Sequence, residues 1–298
     1  MAVNNSLTKA KPNKLGFTSY LTQDAVNKQI SKVVGGANST RFISSIISAV
    51  QANPSLQECS NQSILSAALQ GEALNLPPSP QLGYFYMIPF DNRKKGIKEA
   101  QFQLSAKGYK QLAMRSGQYR DIDVFFIHEG EYLGRDRYTG KQKFEFIEDD
   151  EERESRPIIG YLAYFEMLNG FRKQLYWTRS KMEAHAEKYS MGYRAHKGYT
   201  FWEKDFDSMA EKTMIRQLLS KWGMLSTDMV KAYESDMGVI KEDGTVEHVD
   251  IIDSTAQDTT EPARNEPQTA EAPQADNLPP TAEKAQETAE NGTQDRLF

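Results

Sequence analysis

Residues 158–178 read IIGYLAYFEMLNGFRKQLYWT, two aromatic-rich runs separated by Leu168, Asn169 and Gly170. Asn-Gly favours the left-handed backbone of a tight turn, and the flanking runs carry the aromatic and β-branched side chains that strands prefer. The stretch therefore predicts an antiparallel hairpin with strands over 158–167 and 171–178. It is the strongest short-range hairpin signal in the chain.

Helical and extended patterns surround this hairpin. Apolar residues recurring every three or four positions predict helices over about 24–34, 39–53, 62–74, 107–116, 178–189, 201–222 and 227–236. Further strands are predicted over 83–90, 100–105, 121–128, 131–135 and 141–147, followed by a charged loop over 148–156. Helices, then paired strands, then helices indicate an α+β fold, an antiparallel β-sheet packed with helices.

The charge distribution divides the chain into a basic body and an acidic tail. Residues 241–298 hold 4 Lys or Arg against 14 Asp or Glu; the whole chain holds 36 and 41, which leaves 32 and 27 in residues 1–240. A body of net +5 indicates a polyanionic partner, and a tail of net −10 with few apolar residues is typical of disorder. We predict a flexible arm over 1–23, a core over 24–240 and a disordered acidic tail over 241–298.

Composition narrows the location and the chemistry. Cys59 is the single cysteine, so no disulfide forms within the chain, and neither a secretory signal nor a long apolar run occurs. We therefore predict a cytoplasmic protein. No G-x-x-x-x-G-K-[ST] phosphate loop and no H-E-x-x-H zinc motif is present, and the carboxylate run 148–152 lies in a loop rather than on separate rigid elements. The sequence thus predicts no catalytic residues, metal or cofactor.

The remaining signal is a binding surface. Basic and aromatic residues alternate over 189–202, a composition suited to single-stranded nucleic acid, in which cations neutralise phosphates and aromatic faces stack on bases. Phe201 is equally well explained as a core residue, since it begins a predicted helix. The candidate DNA contacts in this segment are Arg194, Lys197, Tyr199 and Phe201.

Two predicted helices supply further cations. Lys212 and Arg216 are four positions apart and would share one solvent-facing side of their helix, although an ordinary solvated face explains this pair more simply. Lys107, Lys110 and Arg115 lie on the helix predicted over 107–116. The loop between the first two strands adds Arg93, Lys94, Lys95 and Lys98.

Four segments resemble the RecT family of phage and prophage recombinases, also called single-strand annealing proteins. They are residues 63–90 (SILSAALQGEALNLPPSPQLGYFYMIPF), 107–117 (KGYKQLAMRSG), 126–132 (FIHEGEY) and 202–218, especially MAEKTMIRQL from Met209. Together, the four segments span nearly the whole basic body of the chain.

The resemblance implies an activity without an enzyme's chemistry. Such a protein binds single-stranded DNA, anneals complementary strands through a duplex intermediate and promotes strand invasion without ATP. The resemblance also implies homo-oligomeric rings or helical filaments, a core similar to that of Rad52-type annealing proteins, and a phage exonuclease as partner. It assigns DNA contact to Lys107, Arg115, Lys212 and Arg216; Lys110 is added on charge. A metal-dependent nuclease of the same recombination system and a structural filament-forming phage protein remain alternatives.

The chain ends in Gln294, two further residues, Leu297 and Phe298. Q-x-x-L-F resembles the short peptide by which bacterial proteins dock on the replicative sliding clamp, although so short a match also arises by chance. We therefore expect the tail to contact a host replication protein, either the sliding clamp or the single-strand-binding protein.

Overall fold

The structure, a computed structural model, describes residues 16–92, 95–198, 200–224, 226–241 and 245–247. The helices are α1 (Phe17–Leu21), α2 (Asp24–Val34), α3 (Gly36–Ala52), α4 (Asn61–Ala73), α5 (Ala106–Arg115), α6 (Asp150–Ser155), α7 (Arg179–Tyr189), α8 (Met191–Arg194), α9 (Phe201–Lys204), α10 (Phe206–Trp222) and α11 (Thr227–Ser235). The strands are β1 (Phe85–Asn92), β2 (Ile97–Leu104), β3 (Tyr119–His128), β4 (Tyr132–Arg135), β5 (Gln142–Phe144), β6 (Ile158–Met167), β7 (Arg172–Thr178), β8 (Val239–Ile240) and β9 (Val246–Glu247).

The predicted hairpin is confirmed as β6 and β7, the heart of an antiparallel sheet of order β3-β6-β7. Its turn uses the predicted residues: Gly170 adopts a φ of +83°, and the Asn169 side chain accepts a hydrogen bond from the backbone N–H of Phe171 (2.9 Å). Pairing runs from Gly160 opposite Thr178 to Glu166 opposite Arg172. The sequence thus locates both the turn and the register.

The two faces of this sheet have different neighbours. Tyr161 and Phe165 of β6 are fully buried on the inner face, where the Tyr161 hydroxyl donates to Asp207 of α10 (2.5 Å). Tyr176 of β7 belongs to the opposite, outer face, where its ring stacks on Tyr132 of β4 (4.9 Å between centroids). The predicted α+β class is confirmed: antiparallel strands pack with helices.

The predicted long helix over 201–222 consists of two helices in the structure. Asp205 interrupts it with a φ of −145°, and its carboxylate caps α10 by accepting from the Ser208 N–H (3.1 Å). Thr200 and Glu203 form a capping box that fixes the start of α9. The caps at Thr200 and Asp205 therefore make α9 a short helix separate from α10.

Several short elements are absent from the prediction. Helix α6 occupies the predicted charged loop, capped by Asp149, and helix α8 lies within 190–200. The structured region extends past the predicted core at both ends, through α1 and β9. None of the helices in the described segments combines the length and apolarity that crossing a bilayer requires.

Candidate nucleic-acid interface

The start of α5 presents Lys107 to solvent because its neighbours fix the helix against the strands. Ser105 caps the helix by accepting the Gly108 N–H (2.9 Å), and a Cβ at Gly108 would lie 2.1 Å from the carbonyl oxygen of Tyr84. The Lys107 ammonium lies 5.5 Å from the centroid of the Tyr84 ring, a cation–π distance. Lys107 is exposed and remains available to a phosphate.

Lys110 is engaged by carboxylates of its own chain. Its ammonium lies 2.5 Å from Asp123 and 2.8 Å from Glu211. Burial alone would lower the pKa of Lys110, but these two hydrogen-bonded carboxylates outweigh it and raise the pKa. A phosphate would have to compete with two carboxylates for this cation.

Arg115 holds the end of another helix. Its guanidinium donates to the carbonyl oxygens of Leu74 (2.6 Å) and Asn75 (3.2 Å), which follow α4 and lack partners within that helix. Asn75 adopts a φ of +54°, a conformation common just after a helix end. Arg115 thereby joins two of the family-like segments, while its side chain stays exposed.

Lys212 is not on a solvent-facing side, and the predicted exposure is wrong. The residue is 7% exposed, and its ammonium lies 3.0 Å from Oδ1 of Asp236, which is itself 1% exposed. The Asp236 carboxylate also accepts the Leu104 N–H (2.8 Å) and the Tyr109 hydroxyl (2.9 Å). Burial lowers the pKa of Lys212, and Asp236 counteracts that shift. The Asp236 carboxylate at the end of α11 therefore joins Lys212 of α10 to β2 and α5.

Arg216 lies one turn later and is reachable from solvent. Its side chain is 37% exposed, with Nε 3.9 Å from Oδ2 of Asp236. It also faces α7: burial, Lys188 and Arg216 together lower the pKa of His185. Lys188 and His185, which lie near Arg216, are absent from the predicted site residues; their spacing of three positions on the helix preceding the basic segment is the available signal.

The segment 190–198 displays cations on an aromatic anchor. Ser190 caps α8 by accepting the Tyr193 N–H (3.2 Å). The Tyr193 ring is partly buried against Trp202 and Phe206, with centroids 6.3 and 6.0 Å away. These rings are therefore core residues rather than base-stacking surfaces.

Arg194 and Lys197 are the cations of this segment. Both are exposed, and neither side chain has an ion-pair partner within the described residues. Phe201 is partly exposed at the start of α9. Tyr199 lies outside the described residues, as do Arg93 and Lys94. The neighbouring cations Lys95 and Lys98 pair with Glu99 and Glu58.

The described residues contain no group of three or more His, Cys, Asp or Glu side chains arranged to hold a metal ion. The carboxylate run over 148–152 instead shapes α6, where Asp149 accepts the Glu152 N–H (2.7 Å) and Glu152 pairs with Arg156 (2.5 Å). Carboxylates of this run thus serve the fold as a helix cap and an ion pair.

Comparisons with known proteins identify the family of the chain. The profile of the RecT family matches residues 40–250. The chain is 38% identical over 272 residues to the uncharacterized protein YqaK of Bacillus subtilis (strain 168), covering 89% of this chain and 87% of that protein. It is 26% identical over 227 residues to Protein RecT of Escherichia coli (strain K12), covering 73% and 79%. The matched span and the coverage of these relatives show that the chain belongs to the RecT family, whose members are ATP-independent, non-enzymatic annealing proteins of phage recombination.

Proposed function

We propose that this chain binds single-stranded DNA, anneals complementary strands and promotes strand invasion as a ring or helical filament. The observation that carries the proposal is the pair Arg194 and Lys197, exposed and without ion-pair partners in the described residues, on the segment 190–198, whose Tyr193 packs against the buried Trp202. Lys107 and Arg216 extend the contact surface; Arg115 and Lys110 add to it while serving the fold. Lys212 contributes through Asp236 and not through DNA.

The proposed mechanism is physical. Cations that line the surface neutralise phosphates, release condensed counterions and remove the repulsion between two incoming strands. Phe201, partly exposed at the start of α9, offers a face for a base, and stacking of this kind does not depend on sequence. Bases left on the far edge of the bound strand pair with a complementary strand, and the duplex intermediate forms with no bond made or broken.

Salt-dependent binding tests the surface. We expect the variant Arg194→Ala/Lys197→Ala to bind a fluorescent oligothymidylate more weakly, with the slope of log affinity against log salt reduced by about 1.4, since each single-strand phosphate contact contributes about 0.7. The matched control is Lys28→Ala/Lys32→Ala, which removes two exposed cations from α2. Equal slopes for both double variants would refute the placement of the surface.

The same preparation separates annealing from nuclease activity. Annealing leaves labelled strands intact in Mg²⁺ or Mn²⁺, whereas a nuclease shortens them. Intact strands that convert to duplex support the proposal, and shortened strands contradict it.

We further propose that the chain works with a phage exonuclease that supplies single strands, and that its tail contacts a host replication protein. Gln294, Leu297 and Phe298 lie outside the described residues, so this part of the proposal stands on the Q-x-x-L-F sequence alone. Deleting Leu297 and Phe298 should abolish binding to a purified sliding clamp. Unchanged clamp affinity would remove this part of the proposal.

A further inference from the structure

The turn between β4 and β5 is strongly basic. Within residues 135–143, named here the basic turn, four cations face a single carboxylate, Asp136. All four are exposed: Arg135, Arg137, Lys141 and Lys143. Lys143 pairs with Asp136 (3.1 Å), but within the described chain Arg137 and Lys141 have no ion-pair partner. Two unpaired cations therefore flank the tip.

Hydrogen bonds fix the backbone of the basic turn. Asp136 accepts the N–H groups of Tyr138 (3.0 Å) and Thr139 (2.8 Å) on its side chain, and that of Gly140 (2.9 Å) on its carbonyl. Gly140 takes the φ of +70° that the turn requires, and its carbonyl accepts from Arg135 Nε (3.0 Å). The N–H groups, together with Lys143, hold the pKa of Asp136 well below its usual range.

Tyr138 stands at the tip of this fixed turn and is 99% exposed. Its side chain has no ring contact and no hydrogen bond within the described residues. Small polar residues normally fill such positions, because an aromatic ring in water contributes nothing to the fold. The ring is thus an exposed aromatic face without a contact in the described residues, carried on a fixed backbone between two cations.

The base of the hairpin is anchored, so the tip has a defined position. Glu131 is fully buried and accepts the His128 N–H (2.7 Å) and Arg153 Nε (2.6 Å). Above it, the Tyr132 ring stacks on Tyr176 of the sheet's outer face. The base of the hairpin therefore lies on the sheet face opposite the one that contacts α10.

We propose that Tyr138 stacks on a base of single-stranded nucleic acid while Arg137 and Lys141 contact the flanking phosphates. This second contact rests on the proposed function and adds a strand-binding element on the outer face of the sheet. The charge around the ring favours a polynucleotide over an apolar protein pocket, because a base offers both a stacking face and adjacent phosphates. By contrast, an apolar pocket on a second copy of this chain could take up the Tyr138 ring only by burying the surrounding cations.

The full-length Tyr138→Ala variant tests this proposal with two probes of equal length: a fluorescent oligothymidylate and a strand of abasic sites. We expect the affinity for oligothymidylate to fall at least about fivefold, as loss of one stacked base implies. Affinity for the abasic strand should stay unchanged, because that strand has phosphates but no bases. Tyr138→Trp should retain wild-type binding to both.

Leu133→Ala is the matched control, since it removes an exposed apolar side chain from the same hairpin and should change neither affinity. Equal losses on both probes, or no loss on either, would overturn the proposal. A shift of Tyr138→Ala in sedimentation velocity without DNA would also overturn it and assign the ring to contact between copies. Failure of the wild type to bind oligothymidylate would instead count against the proposed function itself.

Discussion

Replacing Lys212 with Met tests whether this residue serves the fold or contacts DNA. Met keeps much of the side-chain volume but removes the ammonium 3.0 Å from Asp236, leaving a fully buried carboxylate with two neutral donors, the Leu104 N–H and the Tyr109 hydroxyl. Removing one partner of a buried ion pair costs about 3 to 5 kcal/mol. Arg216 Nε lies 3.9 Å from Oδ2 of Asp236 and offsets part of this cost. We therefore expect Lys212→Met to lower the free energy of unfolding by about 3 kcal/mol.

Urea unfolding at one fixed protein concentration measures this cost, because assembly makes apparent stability concentration-dependent. With an m value of about 3 kcal/mol/M, the midpoint should move by about 1 M. Adding Asp236→Asn to the Lys212→Met variant should restore part of the lost free energy of unfolding, since neither partner of the pair then carries a charge. The partly exposed comparison, Arg216→Met, should lower the midpoint less than Lys212→Met does, while weakening DNA binding. A Lys212→Met variant as stable as wild type but unable to anneal would refute the structural assignment.

Three further substitutions probe features on which the surface depends. Gly108→Ala places a Cβ 2.1 Å from the Tyr84 carbonyl oxygen, so we expect about 1 to 3 kcal/mol of destabilisation and a lower Tm in thermal unfolding. Arg115→Ala removes the cap on α4 and should cost about 1 kcal/mol in urea unfolding, measurable without DNA. Burial would raise the pKa of Glu131, but Arg153 and backbone N–H groups lower it below 4.5. The stabilisation that the Glu131 carboxylate gives to the fold is therefore fully present above that pH and is lost as the pH falls through the lowered pKa. The stability gap between wild type and Glu131→Gln should therefore narrow on acidification below about pH 4.5 and stay constant above it; a gap independent of pH would contradict this.

Local signals predicted most of the fold. Asn169 and Gly170 located the central hairpin, and apolar spacing located α2 with the bounds that the structure has. The break at Asp205 was not predictable from periodicity, because the apolar pattern continues on both sides of it. Helix α6 lacks buried residues altogether, so hydrophobic spacing carries no signal for it.

The candidate site was less predictable because it depends on contacts between distant segments. Helical spacing correctly relates Lys212 to Arg216, but only the position of Asp236, 24 residues later, decides that Lys212 is buried. Arg115 similarly meets carbonyl groups 40 and 41 residues away. Arg194 and Lys197 were predictable as exposed cations because they lie among turn-forming residues, where no amphipathic face has to be assigned.

The rate at which the purified chain pairs two complementary oligonucleotides, with no nucleotide cofactor and at low ionic strength, tests the central claim most directly. We expect wild type and Lys28→Glu/Lys32→Glu to accelerate duplex formation well above the spontaneous rate, and Arg194→Glu/Lys197→Glu to lose most of that acceleration while remaining folded. A wild-type rate equal to the spontaneous rate would contradict the account, as would full activity in the Arg194 and Lys197 double variant.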